Sequence, residues 1–261
     1  MSNRIFEGAH LELRDKPQSV VIAIDGPAGA GKSTVAKLLA KSLGFEFLDT
    51  GAMYRAVTYA AITRGIDLSD SQSILILASS LEIQLDGSNV TLNGIDISDA
   101  IRTPEVGQSI GAVADNVQVR ALLSQWQRDW ARGRCVVTEG RDQGSEVFKD
   151  SPCKIFLVAS NEERAKRRQD ELSKKGIDID LVEILDQQNR RDHQDRIRPV
   201  GALRRADDAI EFHTDGLSLE QVVEQLEAII HQRLNQPVAK INEPHHPSSL
   251  SRQSLPASEA E

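Results

Sequence analysis

The feature that most constrains this chain is the run VVIAIDGPAGAGKST, Val20 to Thr34. Val20 to Asp25 is a continuous, largely β-branched stretch, the pattern of a strand buried on both faces of a parallel sheet. It leads into Gly26-Pro27-Ala28-Gly29-Ala30-Gly31-Lys32-Ser33-Thr34, which fits G-x-x-x-x-G-K-S/T with Gly26, Gly31, Lys32 and Ser33 in register. The glycines let the backbone curl until successive N–H groups point inward as a nest for an anion. The helix that starts here adds its positive end to the same place. In such a loop Lys32 reaches the β- and γ-phosphates, and the Ser33 hydroxyl is placed to ligate magnesium. The run therefore predicts a strand–loop–helix unit that binds a nucleoside triphosphate, and it leaves the acceptor open.

The remaining pattern extends this unit into an α/β fold. STVAKLLAKSLG reads as a helix with Val35, Leu38, Leu39 and Leu43 on one face, and Gly44 stops it. FEFLD is a short strand that runs into a helix from about residue 51 to 64. In LEIQLDGSNVTLNGIDIS, Asp86-Gly87 and Asn93-Gly94 separate alternating runs, the signal for a small antiparallel β insert. Helical patterns resume from Arg102 to about Arg132. CVVTEG (135–140) and KIFLVAS (154–160) read as strands, and a charged helix is expected over 161–174. A break at Gly176, an arginine-rich segment, a strand near 209–212 and an amphipathic helix over 217–234 complete the order. Strands alternating with helices imply a parallel sheet covered on both faces. Residues 1–18 read as a loose extension, and the Pro-, Ser-, His- and Glu-rich residues 236–261 as a disordered tail.

Composition narrows the function. A formal net charge of −8 argues against affinity for a nucleic-acid polymer, whose backbone attracts basic surfaces. No signal peptide or membrane-spanning run is seen, so a cytoplasmic location is expected, and the monomer is the expected state. Cys135 and Cys153 lack metal-ligand spacing and read as small buried hydrophobes. The chain contains no N-K-x-D guanine reader, which sets aside a GTPase switch. It does contain scattered arginines, Arg55, Arg120, Arg141, Arg191, Arg196 and Arg198, suited to a second phosphorylated ligand. Guanidinium pairs bidentately with phosphate oxygens and stays charged. A phosphate monoester is largely dianionic at neutral pH, so as a nucleophile it needs no general base. The problem is to align two anions, which positive charge and positioning solve. From the residues alone, the reading is a phosphotransferase acting on a small anion.

Five collinear segments carry a closer likeness: GPAGAGKST, FLDTGAMYRAVTYAA, TEGRDQGSEVF, KIFLVASNEERAKRR and RRDHQDRIR. From about Val20 to His231 the chain resembles the bacterial cytidylate (CMP/dCMP) kinases. The resemblance implies transfer of the terminal phosphate of ATP, with Mg2+, to CMP or dCMP. It implies a kinase domain over 19–235, with a CMP-binding insert over about 50–132 and a helical lid over about 180–205. Asp49, Thr50, Tyr54 and Arg55 fall where the family holds the CMP phosphate and ribose, and Arg120 and Asp142 where it reads cytosine. Arginine can donate to the cytosine N3 and O2, and a carboxylate can accept from the exocyclic amine. Arg141 and Arg191 resemble the clamps on the CMP phosphate, Asp195 a ribose contact, and Arg198, with Arg196, the lid group that meets the transferred phosphoryl.

Three positions depart from the family pattern. Gly111 stands where a serine commonly touches the base, which implies a loss of roughly 0.5–1.5 kcal/mol in base reading unless a neighbour substitutes. Glu139 replaces the aspartate expected near magnesium, and Lys149 replaces a proline. Duller readings stand beside these. Arg141 and Asp142 could pair with each other, and Tyr54 could pack rather than bind. Arg164, Arg167 and Arg168, beside Glu162 and Glu163, read as salt-bridged surface ahead of ATP contacts. Two other functions compete: a P-loop kinase of another small acceptor (UMP, AMP or a shikimate-like metabolite), and a P-loop ATPase or nucleotide-binding module with no acceptor.

Overall fold

A computed structural model describes residues 19–174 and 176–235; the expected N-terminal extension and C-terminal tail lie outside them. Its frame is a five-stranded, wholly parallel sheet in the order β2-β6-β1-β7-β8. The strands are β1 (Val20–Asp25), β2 (Glu46–Asp49), β6 (Cys135–Gly140), β7 (Cys153–Val158) and β8 (Ile210–His213). A separate antiparallel meander joins β3 (Ile83–Asp86), β4 (Asn89–Leu92) and β5 (Ile95–Asp96). Asn93, at φ 50°, and Gly94, at φ 78°, make its second turn, as the Asn-Gly pair predicts.

Alternation along each strand divides the core into two layers. Ile22, Ile24, Val137, Ile155 and Leu157 face one way and pack with Val35, Ala36 and Leu39 of α1 (Lys32–Leu43). Leu226 and Ile230 of α8 (Leu219–Leu234) close the same layer. Val136 faces the other way, into a layer that holds α2 (Thr50–Thr63), α3 (Ser71–Ser79) and the meander. The expected parallel sheet with helices on both faces is thus found. Leu38, expected on the buried face of α1, is 37% exposed; its neighbours Ala36 and Ala40 take the sheet-facing positions.

Two helical regions differ in detail from expectation. The stretch 102–132 folds as α4 (Pro104–Ala114) and α5 (Val117–Ala131), because Asn116 turns its side chain to accept from Gln118 N and Val119 N and starts a new helix. The helix α3, capped by Asp70, was not expected from the sequence. The charged helix α6 (Asn161–Lys174) has the expected bounds. The arginine-rich segment is itself a helix, α7 (Leu181–Ile197), capped by Asp180.

Candidate active site

The site lies at the carboxyl ends of the central strands, where ligands of open α/β sheets commonly bind. The register of β1 against β6 sets Asp25 opposite Gly140, so the loops that follow the two strands begin side by side. Residues 26–31 form the first loop. Gly26 holds φ 149°, and a Cβ there would overlap the carbonyl oxygen of Leu157 on β7. Gly31 is left-handed and precedes α1 with no side-chain cap, which leaves the first N–H groups of that helix facing the loop. Pro27 and Ala30 are buried, whereas Gly29, Ser33 and Thr34 are exposed.

Lys32 is buried at 5% exposure and donates to the Pro27 carbonyl at 2.7 Å. Burial, then the charge of Arg141, pushes its ammonium down to about 7. The Ser33 hydroxyl donates to Glu139 Oε1 at 2.9 Å, which brings together the two residues expected near magnesium. Among the described residues no group of three or more His, Cys, Asp or Glu could hold a metal. A hydroxyl beside one carboxylate nevertheless fits magnesium, which takes one or two protein oxygens and completes its shell with phosphate and water.

The second loop carries Arg141 and Asp142. Its course is held by Asp25, whose Oδ1 accepts from Gln143 N at 2.8 Å and Oδ2 from Gly144 N at 2.7 Å. Burial pushes the Asp25 carboxyl up to about 7 against those two bonds. Arg141 and Asp142, which could have paired with each other, take separate partners. Asp142 accepts from Arg120 Nη2 at 2.5 Å in a pair that is almost wholly buried. Tyr54 lies under this pair, its ring centroid 5.3 Å from the Arg120 guanidinium, and burial pushes its phenol up to about 12. Tyr54 therefore packs on the residue expected to read the base.

Arg141 Nε donates to Asp195 Oδ2 at 2.8 Å, and Arg198 Nη2 donates to Asp195 Oδ1 at 2.8 Å. Burial alone would raise Asp195, but Arg141, Arg198 and Arg191 outweigh it and hold the carboxyl below the usual range. Arg191 is pushed down to about 10 by burial and then by the charge of Arg141. Lys32, Arg141 and Arg191 thus share one region and repel one another, the condition of a site built for a polyanion.

The residues from α2 are more structural. Asp49 caps the helix by accepting from Ala52 N at 2.9 Å; burial, then Glu139, pushes its carboxyl up to about 6. The Thr50 hydroxyl donates to the Glu139 carbonyl at 2.6 Å, and Arg55 Nη1 donates to the Ile101 carbonyl at 3.2 Å. Gly111 sits on α4, and a carboxylate oxygen of Asp115 lies 3.9 Å from where its Cβ would stand.

One expectation needs correction. Arg164 is not salt-bridged surface: it is 1% exposed, because its guanidinium turns inward to Asp192 and the Ala28 carbonyl. Arg167 and Arg168 do pair with Glu163 and Glu171. Arg196, grouped with Arg198, is exposed on α7. Sequence reasoning also missed Asp25, Asp115, which accepts from Arg198 Nε at 2.6 Å, and Glu146, which accepts from Gly201 N at 3.0 Å. Gly201 itself, at φ 70°, stands against Arg120 so closely that a Cβ would overlap the guanidinium. Only Asp25 left a local trace, a lone acid closing an apolar strand.

Comparison with known proteins identifies a family. The cytidylate kinase family model matches residues 22–232. A cytidylate kinase of Rhodopirellula baltica is 49% identical over 213 residues, covering 82% of this chain and 93% of that protein. The cytidylate kinase of Bacillus subtilis is 42% identical over 216 residues, covering 81% and 96%. A bifunctional pantoate ligase/cytidylate kinase of Synechococcus is 41% identical over 243 residues, 91% of this chain and 48% of that protein. With the family model spanning residues 22–232 and a relative 49% identical over 82% of this sequence, the chain belongs to the cytidylate kinase family.

Proposed function

We propose that this chain transfers the terminal phosphate of ATP to CMP and dCMP, forming ADP with CDP or dCDP. The observation that carries this reading is the β1–β6 register, which starts the glycine-rich loop and the loop bearing Arg141 and Asp142 from adjacent strands. Residues 26–34 hold the donor phosphates, with Lys32 on the β- and γ-oxygens. Ser33 and Glu139 hold Mg2+, which offsets phosphate charge when bound. Arg141 and Arg191 hold the acceptor phosphate in line, helped by Asp49, Thr50 and Arg55. Arg120 and Asp142 read the cytosine, with Tyr54 supporting Arg120 from below and Asp195 meeting the ribose.

For these contacts to form, the ion pairs described above are exchanged. Arg141 and Arg198 leave Asp195 and Asp115 for phosphate oxygens, and Arg120 and Asp142 part around the base. Arg198 then meets the transferred phosphoryl, a role that in arginine fingers is worth on the order of 10³–10⁵ in rate. The acceptor arrives as a dianion, so no side chain removes a proton from it. Residues 180–205 act as the lid, since α7 and the turn after it bring Arg191, Asp195, Arg198 and Gly201 to the site. Asp115, beside Gly111, supplies a polar neighbour where the family's serine is missing.

The test is a panel of CMP, dCMP, UMP, AMP and shikimate at equal concentration with Mg-ATP, scored by diphosphate or phosphorylated product. CMP and dCMP are expected to be the best acceptors. Preference for another member of the panel overturns the reading, and so does ATP hydrolysis with no acceptor product.

A further inference from the structure

Arg164 packs against the glycine-rich loop at Ala28 and Gly29. Its Nη1 donates to the Ala28 carbonyl at 2.7 Å, one of the outward-facing oxygens that a nest of inward N–H groups leaves to be satisfied. Its Nη2 lies 2.7 Å from Asp192 Oδ2 and donates to Asn161 Oδ1 at 2.5 Å. The ion pair is closed to solvent, at 1% and 2% side-chain exposure. One turn earlier on α7, Gln188 Nε2 donates to the Arg164 carbonyl at 3.2 Å. Gly29, at φ 77°, makes room for this: a Cβ there would stand 3.1 Å from Gln188 Nε2 and 3.2 Å from Arg164 Cβ. Loop, α6 and α7 therefore meet at one buried point. Arg164 Nε, Gln188 Oε1 and Asp192 Oδ1 make no hydrogen bond there, so the pair and its bond to Ala28 are the strong links.

Asp192 is the residue after Arg191. We propose that Arg164 and Asp192 are positioning residues that tie the glycine-rich loop to the helix carrying Arg191, so that filling the donor site seats the acceptor clamp. Donor phosphates fix the loop's N–H groups inward and its Ala28 carbonyl outward. That carbonyl holds Arg164, which holds Asp192, which sets the azimuth of α7 and so the direction of Arg191. CMP accordingly binds more tightly once the donor site is filled, and by reciprocity the donor binds more tightly with CMP present. The proposal rests on the reading of Arg191 as a clamp on the acceptor phosphate.

The experiment measures CMP affinity by calorimetry on the full chain, with and without the β,γ-imido analogue of ATP plus Mg2+. The unaltered protein is expected to bind CMP about fivefold or more tightly with the analogue present. Asp192→Asn is expected to bring that ratio close to one while binding the analogue nearly as before. Removing one charge of a buried pair can unfold a protein, whereas exchanging both partners for apolar residues of similar volume is usually tolerated. Arg164→Met combined with Asp192→Leu therefore serves as the second variant, with its melting curve taken alongside. A folded variant that keeps the original ratio overturns the proposal, as does a ratio of one in the unaltered protein. Arg191→Ala separates the underlying reading: if it leaves CMP affinity unchanged without the analogue, the clamp itself is wrong. If it weakens CMP while the ratio survives in the paired variant, only the coupling fails. A purely structural ion pair would lower the melting temperature and leave the ratio alone.

Discussion

Asp142 holds its carboxylate 2.5 Å from an arginine that is 4% exposed, so its removal has two effects that must be kept apart. Truncation to alanine would strand a buried guanidinium, at a cost of about 3–5 kcal/mol of stability. Asp142→Asn keeps the shape and one acceptor but removes the charge. We expect it to raise the KM for CMP by roughly tenfold or more while changing the KM for ATP less than about threefold, by analogy with lost charge-assisted hydrogen bonds. Steady-state kinetics with each substrate varied in turn checks this, and equal losses for both ligands would remove Asp142 from base reading. At this scale the glycine-rich loop was legible from its own spacing, whereas the roles of Arg120, Asp142, Arg141 and Arg191 were pointed to only by the family resemblance; the structure pairs Arg120 with Asp142. The burial of Arg164 was not legible. Its neighbours Glu162 and Glu163 resemble an exposed salt-bridged helix, and its true partner Asp192 lies on a different helix. Burial of a charge is decided by long-range packing, which local charge pattern does not encode.

Elements were read well where punctuation is strong. Gly44 ends α1 in a left-handed conformation, and the Asp86-Gly87 and Asn93-Gly94 pairs bound the meander strands. The helix α3 was missed because SILILA is almost continuously apolar, which hides helical periodicity; Ile74 is buried while Ile76 is 62% exposed. The junction between β1 and the phosphate loop carries the sharpest constraint on an element. Gly26 combines φ 149° with contact against the β7 backbone, which cannot move without disturbing the sheet. Gly26→Ala is expected to destabilise the domain by about 3 kcal/mol or more through backbone strain and overpacking. For a domain of this size that lowers the melting temperature by roughly 6–12 °C. Calorimetric or fluorescence melting tests it, and an unshifted transition would mean that the loop re-forms without a glycine there.

For the molecule as a whole, charge links folding to pH. Asp195 is held below the ordinary carboxylate range by Arg141, Arg198 and Arg191, despite its burial. Its depressed pKa adds stability above the unfolded-state value of about 3.9, and that contribution is lost as pH falls through the folded-state value. Acid unfolding monitored by circular dichroism should therefore shift to lower pH in the unaltered chain than would be seen in Asp195→Asn. Coincident acid transitions would show that this carboxylate contributes nothing. The overall architecture was readable because alternation of strands with helices admits few topologies. The neighbour relations were not: that β6 rather than β2 lies beside β1 is a fact of sheet order.

That sheet order has a consequence for the reaction's alignment. Adjacent parallel strands stand about 4.8 Å apart whatever side chains they carry. The span between the loops that follow β1 and β6 is consequently inherited from the spacing of the peptide ladder. Side-chain replacement at the rims can retune charge and base preference, yet the track along which a phosphoryl group travels stays anchored in main-chain atoms.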